Sequence, residues 1–282
     1  MPIVYLDASV YRRLREEGID PAGTPIDKGS REHDDIEVAF DDTALIDLSS
    51  PFRFGEVEEG AGLFKLVRKV VSDRVLQHFG WLVRDEVQAF LEMIPRYWWH
   101  YDDKEGDKIR RLVADLSEGK YEVSAELELR DRMSRQEAFG RVLHHLFKES
   151  SFDEGGVEDF ATLLARYGKD NRRELIRKLM GDVIRAEKPG EIARRVDGKI
   201  HRCPTVATFT KLPLLKQYLY KMRYKDQRRG DDEELIHLCC LVHVDILVSQ
   251  SEKFRERFSL LHPDKKAYHL EGFLESVGKK SI

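Results

Sequence analysis

The sequence begins Met1-Pro-Ile-Val-Tyr-Leu-Asp-Ala-Ser9, in which the apolar run Ile3 to Leu6 is followed at once by an acid, Asp7. Such a short apolar run is typical of a buried strand, and the residues after it have the spacing of an amphipathic helix. In open α/β sheets, ligands bind beyond the carboxyl ends of strands. This stretch therefore predicts a strand, then an acid at a binding position, then a helix.

A second stretch of the same character lies near the other end of the sequence. It reads Gly230-Asp-Asp-Glu-Glu-Leu-Ile-His237, and after an apolar run it continues Val244-Asp-Ile-Leu-Val-Ser249. The acidic run predicts a helix start, and the later apolar run predicts another strand. A further acid, Glu86, falls where a middle helix is predicted to begin at Arg84. Because parallel strands end at one edge of a sheet, we expect these acids to converge.

Converging carboxylates repel each other and raise each other's pKa unless a cation lies between them. Mg²⁺ or Mn²⁺ is the natural cation, because both prefer hard oxygen ligands. We therefore predict a metal-assisted hydrolytic site. The acids that would converge there are Asp7, Glu86 and the run from Asp231 to Glu234. A simpler interpretation stays open, in which Asp7 caps a helix and the other acids only compensate helix dipoles.

Composition limits the class of protein. The chain has 282 residues, of which 41% are hydrophobic and 35% are charged, and its net charge is −4. A charge of this sign does not attract nucleic acid overall, so any such attraction must come from a local patch. Three cysteines, no evident signal peptide and no apolar run near the ~20 residues of a membrane span predict a cytoplasmic protein.

The pattern along the chain predicts an α/β fold with a short, mainly parallel sheet of four to five strands and helices on both faces. Residues 18–60 are rich in Gly, Pro and acids and are predicted to form a long loop. Residues 79–83 are predicted to form a strand. Residues 104–199 are helical in pattern and are interpreted as an α-helical insertion or cap. Residues 1–103 and 200–282 together would form the α/β domain.

A basic segment precedes the acidic run and carries interleaved tyrosines. Cations beside a carboxylate pocket would hold an RNA backbone, and tyrosines would stack on unpaired bases. The alternatives are a solvated helix face with inward tyrosines, or neutralisation of the acidic loop around residues 31–59. The residues predicted to bind RNA are Lys216, Lys221, Arg223, Lys225, Arg228 and Arg229.

Four short motifs, taken together, resemble a PIN domain, the nuclease fold of many toxin–antitoxin toxins and RNA-processing enzymes. They are Tyr5-Leu-Asp7-Ala-Ser9, Asp85-Glu86-Val87, Gly230-Asp231-x-x-Glu234-Leu235-x-His237 and Val244-Asp-Ile-Leu-Val-Ser-Gln-Ser-Glu-Lys-Phe254. The resemblance covers roughly residues 1–14, 60–95 and 210–260. It implies a Mg²⁺- or Mn²⁺-dependent endoribonuclease that cleaves single-stranded RNA and leaves a 5′-phosphate. On this resemblance the catalytic acids would be Asp7, Glu86, Asp231 and Glu234, and the metal ligands would be Asp7, Glu86, Asp231 and Asp232.

The last motif departs from the family's pattern, in which Thr-Asn-Asp follows the final strand. Ser249 replaces the threonine and keeps a hydroxyl, but Ser251 stands where the last acid is expected. Glu252, Ser9 and His237 are predicted as supporting residues of the site. The departure implies a second function, a catalytically impaired PIN-like module that binds RNA or a protein partner. An antitoxin or a second copy of the chain stays open as that partner.

A phosphatase that uses Asp7 as its nucleophile is a further interpretation. The phosphoaspartate enzymes of the haloacid type carry a second Asp two residues after the first. Ser9 stands at that position here, which disfavours this interpretation.

Overall fold

The computed structural model describes residues 1–28, 36–72, 75–94, 100–101, 103–149, 159–222 and 230–278. Its elements in chain order are β1 (Ile3–Leu6), α1 (Ala8–Glu16), β2 (Glu37–Ala39), α2 (Asp42–Leu48), α3 (Ser50–Arg53), α4 (Val57–Val70), α5 (Phe79–Leu91), α6 (Asp103–Ser117), α7 (Val123–Glu149), α8 (Phe160–Arg166), α9 (Lys169–Lys178), α10 (Pro189–Gly198), α11 (Pro204–Phe209), α12 (Leu212–Met222), α13 (Gly230–Cys240), β3 (Ile246–Val248), α14 (Glu252–Leu261), β4 (Lys266–Tyr268) and α15 (Leu270–Gly278). Within the described ranges, no helix is long and apolar enough to span a membrane.

The chain forms two compact units. Unit 1 comprises Met1–Gln77, Trp99–Met133 and His243–Ile282, and it contains the whole sheet. Unit 2 comprises His78–Trp98 and Ser134–Val242 and, within its described residues, is helical. These limits differ from the predicted division at residues 103 and 199. Unit 1 also includes α6 and the first part of α7, whereas residues 78–98 and 200–242, predicted to belong to the α/β domain, fall in unit 2.

Within the described residues, the sheet of unit 1 has four parallel strands in the order β2-β1-β3-β4. Val4 of β1 pairs with Val38 on one side and with Ile246 on the other. Val4, Tyr5 and Leu6 are fully buried, as expected for a strand that is covered on both faces. The predicted α/β class with a short parallel sheet is thus confirmed, and β1 lies at its centre.

The connections give this sheet a topological switch point. The β1–β2 connection, which begins with α1, and the β3–β4 connection, which contains α14, leave the centre of the sheet in opposite directions. Since parallel crossovers are right-handed, α1 and α14 fall on opposite faces. In open α/β sheets the ligand-binding crevice lies at such a point, which here is beyond the carboxyl ends of β1 and β3. The residues that follow these two strands are Asp7 and Ser249.

Unit 2 is built on α5, α9, α10, α11 and α13. Phe79 at the start of α5 packs against the rings of Phe139 and Phe209 at 5.2 and 5.5 Å between centroids. Asp197 on α10 is buried and accepts hydrogen bonds from Arg172 and Arg173. This unit therefore has an aromatic core and a buried charge network of its own.

Two predicted elements were wrong. Residues 79–83 are the first residues of α5 and do not form a strand. The buried residues Phe79, Leu82 and Val83 continue with helical spacing to Phe90, so one helix accounts for both the apolar run and the helix predicted from Arg84.

Residues 18–60 are also more structured than predicted, since they contain β2, α2, α3 and the start of α4. Asp41 accepts a hydrogen bond from the Ala44 N–H and thereby caps α2. In this region acids therefore begin a helix where the composition had indicated a loop.

Candidate functional site

Asp7 lies directly after β1, at the switch point of the sheet. Its backbone N–H donates to the Val248 carbonyl at 2.9 Å, which joins the ends of β1 and β3. Asp7 occupies the N-cap position of α1, yet its side chain makes no capping hydrogen bond. Instead, its Oδ2 accepts hydrogen bonds from the Ser9 hydroxyl at 2.5 Å and the Ser249 hydroxyl at 2.9 Å. The two serines therefore orient the carboxylate at the carboxyl ends of β1 and β3, and it does not cap the helix.

The two serine hydroxyls are themselves fixed by the chain that follows β3. The Gln250 N–H donates to Ser9 Oγ at 3.0 Å, and the Ser251 N–H donates to Ser249 Oγ at 3.1 Å. Each hydroxyl thus donates to Asp7 and accepts from a backbone amide. This reciprocal network connects the two loops at the switch point and sets the orientation of the carboxylate.

The other oxygen of this carboxylate, Asp7 Oδ1, has no hydrogen-bond partner within the described part of the chain. A carboxylate oxygen of this kind suits Mg²⁺ or Mn²⁺. Among the described residues, however, no three His, Cys, Asp or Glu side chains converge as a metal site requires. Of the predicted metal ligands, Asp7 therefore offers an oxygen that could bind such an ion. The side chains of Asp231 and Asp232 lie outside the described residues.

Two acids from a region that was predicted to be a loop lie within electrostatic range of Tyr5 on β1. Asp41 follows β2, is buried, and accepts a hydrogen bond from the Tyr5 hydroxyl at 2.9 Å. Asp47 is exposed and lies in the last turn of α2. Burial raises the pKa of Tyr5, and the carboxylates of Asp41, Asp7 and Asp47 raise it further. Tyr5 therefore lies within electrostatic range of all three acids.

A signal for Asp41 was present in the sequence. Val38, Ala39 and Phe40 form an apolar run that is followed by Asp41 and then by a helix, which repeats the pattern seen at Asp7. The run is shorter than the first one and lies in a strongly acidic region, so composition obscured it.

Glu86 lies in unit 2, on α5, and its side chain has a different environment from the one predicted. It is fully buried, and its two carboxylate oxygens accept hydrogen bonds from the backbone N–H groups of Thr205 at 2.9 Å and Val206 at 3.1 Å. These amides open α11 and lack partners within that helix. Burial, followed by the Glu86 carboxylate, raises the pKa of the Cys203 thiol to about 12. Glu86 thus stabilises a helix start, and its predicted metal role stays a prediction.

The acidic run is helical, as predicted, and forms the first turn of α13 in unit 2. Glu234 is half-buried, and His237 is buried with only 7% of its surface exposed. The side chains of Asp231 and Asp232 lie outside the described residues. The predicted convergence of these acids with Asp7 therefore stays a prediction.

Ser251 and Glu252 have local roles at the start of α14. Ser251 Oγ accepts a hydrogen bond from the Phe254 N–H at 3.2 Å and is the N-cap of the helix. Glu252 is exposed in the first turn, where a negative charge suits the helix dipole.

The predicted RNA-binding segment is described only in part. Lys216 lies on α12 and is half-buried, and Lys221 lies on the same helix, with its side chain outside the description. The other predicted positions, Arg223, Lys225, Arg228 and Arg229, lie outside the described residues.

Comparisons of this chain with protein-family models, with curated proteins and with solved structures found no match. The chemistry that the site can perform therefore follows from its own geometry. That geometry offers a carboxylate at a sheet switch point, one oxygen of which is fixed by two hydroxyls while the other faces no protein donor in the described residues.

Proposed function

We propose that the protein is a PIN-like, metal-dependent endoribonuclease that cleaves single-stranded RNA at the carboxyl end of its sheet. The observation that carries the proposal is the Asp7 carboxylate, which is fixed through Oδ2 by Ser9 and Ser249 and has no described partner at Oδ1. Position supports it as well, because α/β sheets bind ligands where the strand order reverses.

In this proposal Asp7 is the central acid of the site. Asp41 and Asp47 add negative charge within range of the same strand, which favours a cation over an anion in the crevice. A bound Mg²⁺ or Mn²⁺ would supply a water of lowered pKa and would stabilise charge on the phosphate. The serine network would keep the carboxylate in place without a rearrangement during the reaction.

The test compares the wild-type protein with Asp7→Asn on an end-labelled, unstructured RNA in Mn²⁺. We expect cleavage by the wild type, its loss on chelation, and a decrease of at least about a hundredfold in Asp7→Asn. Asp20→Asn is the matched control, since Asp20 is an exposed acid of unit 1 that pairs with Lys69. Full activity of Asp7→Asn would remove the basis of the proposal.

A second candidate function is an RNA-binding module without cleavage. It is favoured by Ser251, which is an N-cap at the position where the family pattern has an acid, and by Glu86, whose carboxylate is engaged by backbone amides. In that case the wild type binds the labelled RNA but does not cleave it, whichever divalent metal is added, and the Asp7→Asn variant binds it equally well. The thermal shift caused by Mn²⁺ would also be absent.

A further inference from the structure

An arginine is anchored at the carboxyl end of β3, beside the Asp7 network. Arg255 is half-buried and lies in α14, the helix that begins just after this strand. Helical side chains lean toward the N-terminus of their helix, and Arg255 accordingly extends back to the strand end, where its Nη1 donates to the Ser249 carbonyl at 2.5 Å. Ser249 is also the residue whose hydroxyl donates to Asp7 Oδ2. The guanidinium and the Asp7 carboxylate therefore contact the same residue, one through its carbonyl and the other through its hydroxyl.

The hydrogen bond to Ser249 occupies only one of the three nitrogens of the guanidinium. The other two, Nε and Nη2 of Arg255, bond to no other residue in the described part of the chain, and neither is enclosed. In this they differ from Nε of Arg132 and of Arg257, which is buried without a partner. Nε and Nη2 form the edge of a guanidinium whose parallel N–H groups bind a phosphate or a carboxylate bidentately. This edge of Arg255 is open to a ligand.

Arg255 also keeps its charge without an ion pair among the described residues. No described carboxylate lies within ion-pair distance of its guanidinium, although Glu252 and Glu256 are close to it on the same helix. The Asp7 carboxylate does not pair with it either. A guanidinium stays protonated at any physiological pH. The end of β3 thus offers a fixed positive charge that is separate from the negative charge of Asp7.

We propose that the Nε–Nη2 edge of Arg255 binds a backbone phosphate of the RNA, next to the phosphate that is cleaved at Asp7. A phosphodiester fits this edge because its two non-bridging oxygens match the two parallel N–H groups. The inference rests on the proposed function for the identity of the ligand, and it adds a binding residue outside the basic segment predicted from the sequence. Since this contact is made before and during the reaction alike, it contributes to RNA binding and leaves the chemical step unchanged.

The test measures RNA binding without cleavage, by fluorescence anisotropy of a labelled, unstructured RNA in EDTA, because the proposed reaction requires the metal. We expect Arg255→Met to weaken binding by about ten- to a hundredfold, as for the loss of a charged hydrogen-bonded contact. The slope of log Kd against log salt concentration should decrease by about 0.7, which corresponds to one phosphate contact on a single strand. Equal affinity and slope in Arg255→Met and the wild type would overturn the inference, as would absence of binding by the wild type at low salt.

Arg110→Met is the matched control, because it removes the same charge from unit 1. Arg110 is also half-buried, but it forms an ion pair with Asp107 on its own helix. We expect the affinity for RNA and the salt slope of Arg110→Met to equal those of the wild type. Weakening of the same size in both variants would show that net charge accounts for the effect, and it would overturn the inference.

Arg255→Lys separates phosphate binding from a purely structural role. Lysine keeps the positive charge but lacks the planar fork, so we expect the affinity to fall several-fold while the salt slope stays that of the wild type. If Arg255 only fastens α14 to the end of β3, both Arg255 variants will lower the Tm and neither will change the salt slope. That result would overturn the inference, and so would wild-type affinity in Arg255→Lys.

Cleavage assays on the same variants distinguish this inference from the proposed function. If both are correct, Arg255→Met raises KM for RNA and leaves kcat unchanged. Weakened RNA binding in Arg255→Met, together with no cleavage by the wild type, would support the phosphate contact and reject the nuclease. Cleavage by the wild type with the same KM in Arg255→Met would support the nuclease and reject the contact.

Discussion

The carboxylate of Glu86 shows how burial assigns a role to a single residue. It receives two backbone amides at the start of α11, a helix whose N-cap residue, Cys203, makes no side-chain capping bond. An acid on another helix therefore performs the task that Ser or Asp usually performs at the N-cap itself. Its position in the sequence predicted that Glu86 has a specific role, but it did not predict which groups the carboxylate contacts.

We predict that Glu86→Gln lowers the free energy of unfolding by about 1–3 kcal/mol, because a neutral amide accepts more weakly and turns a donor toward a backbone N–H. Urea denaturation measures the effect. Glu92→Gln, at the exposed end of the same helix, should change stability little. Unchanged stability in Glu86→Gln, combined with a lost Mn²⁺ response, would instead support the metal role predicted from the sequence.

The candidate site could be predicted from the sequence only where local pattern and position coincide. Asp7 and Ser249 were identified because each directly follows a buried strand, and Ser9 because it belongs to the same motif as Asp7. The structure brings these three together. Asp41 and Asp47 were missed because their strand has three residues in an acidic region. The partners of Glu86 are more than a hundred residues away, and no local pattern predicts them.

At the scale of elements, long helices and the two central strands were predictable, since their apolar periodicity is strong. The error at Phe79 arose because a five-residue apolar run fits either a strand or a buried helix turn. Only its continuation to Phe90 distinguishes them, together with the exposure of Trp81 between the buried residues Phe79 and Leu82.

Helix α4 provides an element-scale prediction through two of its glycines. A Cβ on Gly60 would lie 2.5 Å from the ring of Phe52, which is buried and stacked on Tyr121. A Cβ on Gly62 would lie 2.7 Å from Arg15, whose half-exposed guanidinium can move aside. We expect Gly60→Ala to lower the free energy of unfolding by about 1–3 kcal/mol through overpacking.

Gly62→Ala is the matched comparison on the same helix. It should leave stability unchanged or raise it by up to about 1 kcal/mol, because alanine is the better helix former. Thermal denaturation of the two variants measures the difference. Equal changes in stability would show that Phe52 moves away from the added methyl group as easily as Arg15 does.

At the scale of the whole molecule, unit 1 depends on a buried arginine. The Arg132 side chain is 1% exposed and binds Asp42 at 2.6 Å, Glu105 at 2.7 Å and Glu128 at 2.7 Å. It thereby joins α2, α6 and α7. Removing one partner of a buried ion pair leaves uncompensated charge, so Arg132→Met should destabilise the protein by about 3–5 kcal/mol at neutral pH.

The same network predicts a pH dependence. Burial raises the pKa of Glu105, but hydrogen bonds from Lys108 and Arg132 lower it by more, so that the pKa lies below its usual value. A lowered folded-state pKa adds stability above the ordinary value of about 4.3, and this stability is lost as pH falls through the folded value. Urea titrations at several pH values should therefore show that the free energy of unfolding decreases in acid. The decrease should be smaller in Arg132→Met.

Arg130→Met is the control for this network, because Arg130 is exposed on the same helix and pairs only at the surface with Glu126. It should alter stability by no more than about 0.5 kcal/mol and leave the pH dependence intact. A comparable loss of stability in both variants would mean that the buried ion pairs of Arg132 stabilise the protein no more than the surface pair of Arg130.

The position of β1 at the centre of the sheet also has a consequence for biosynthesis. Its partner β3 follows roughly 240 residues later, so one edge of β1 has no native neighbour until then. At translation speeds of about 5–20 residues per second, the ribosome needs roughly ten to fifty seconds to supply that neighbour. During this interval an unpaired apolar edge can recruit other chains. Yield in a heterologous host should therefore depend on chaperones that hold the growing polypeptide.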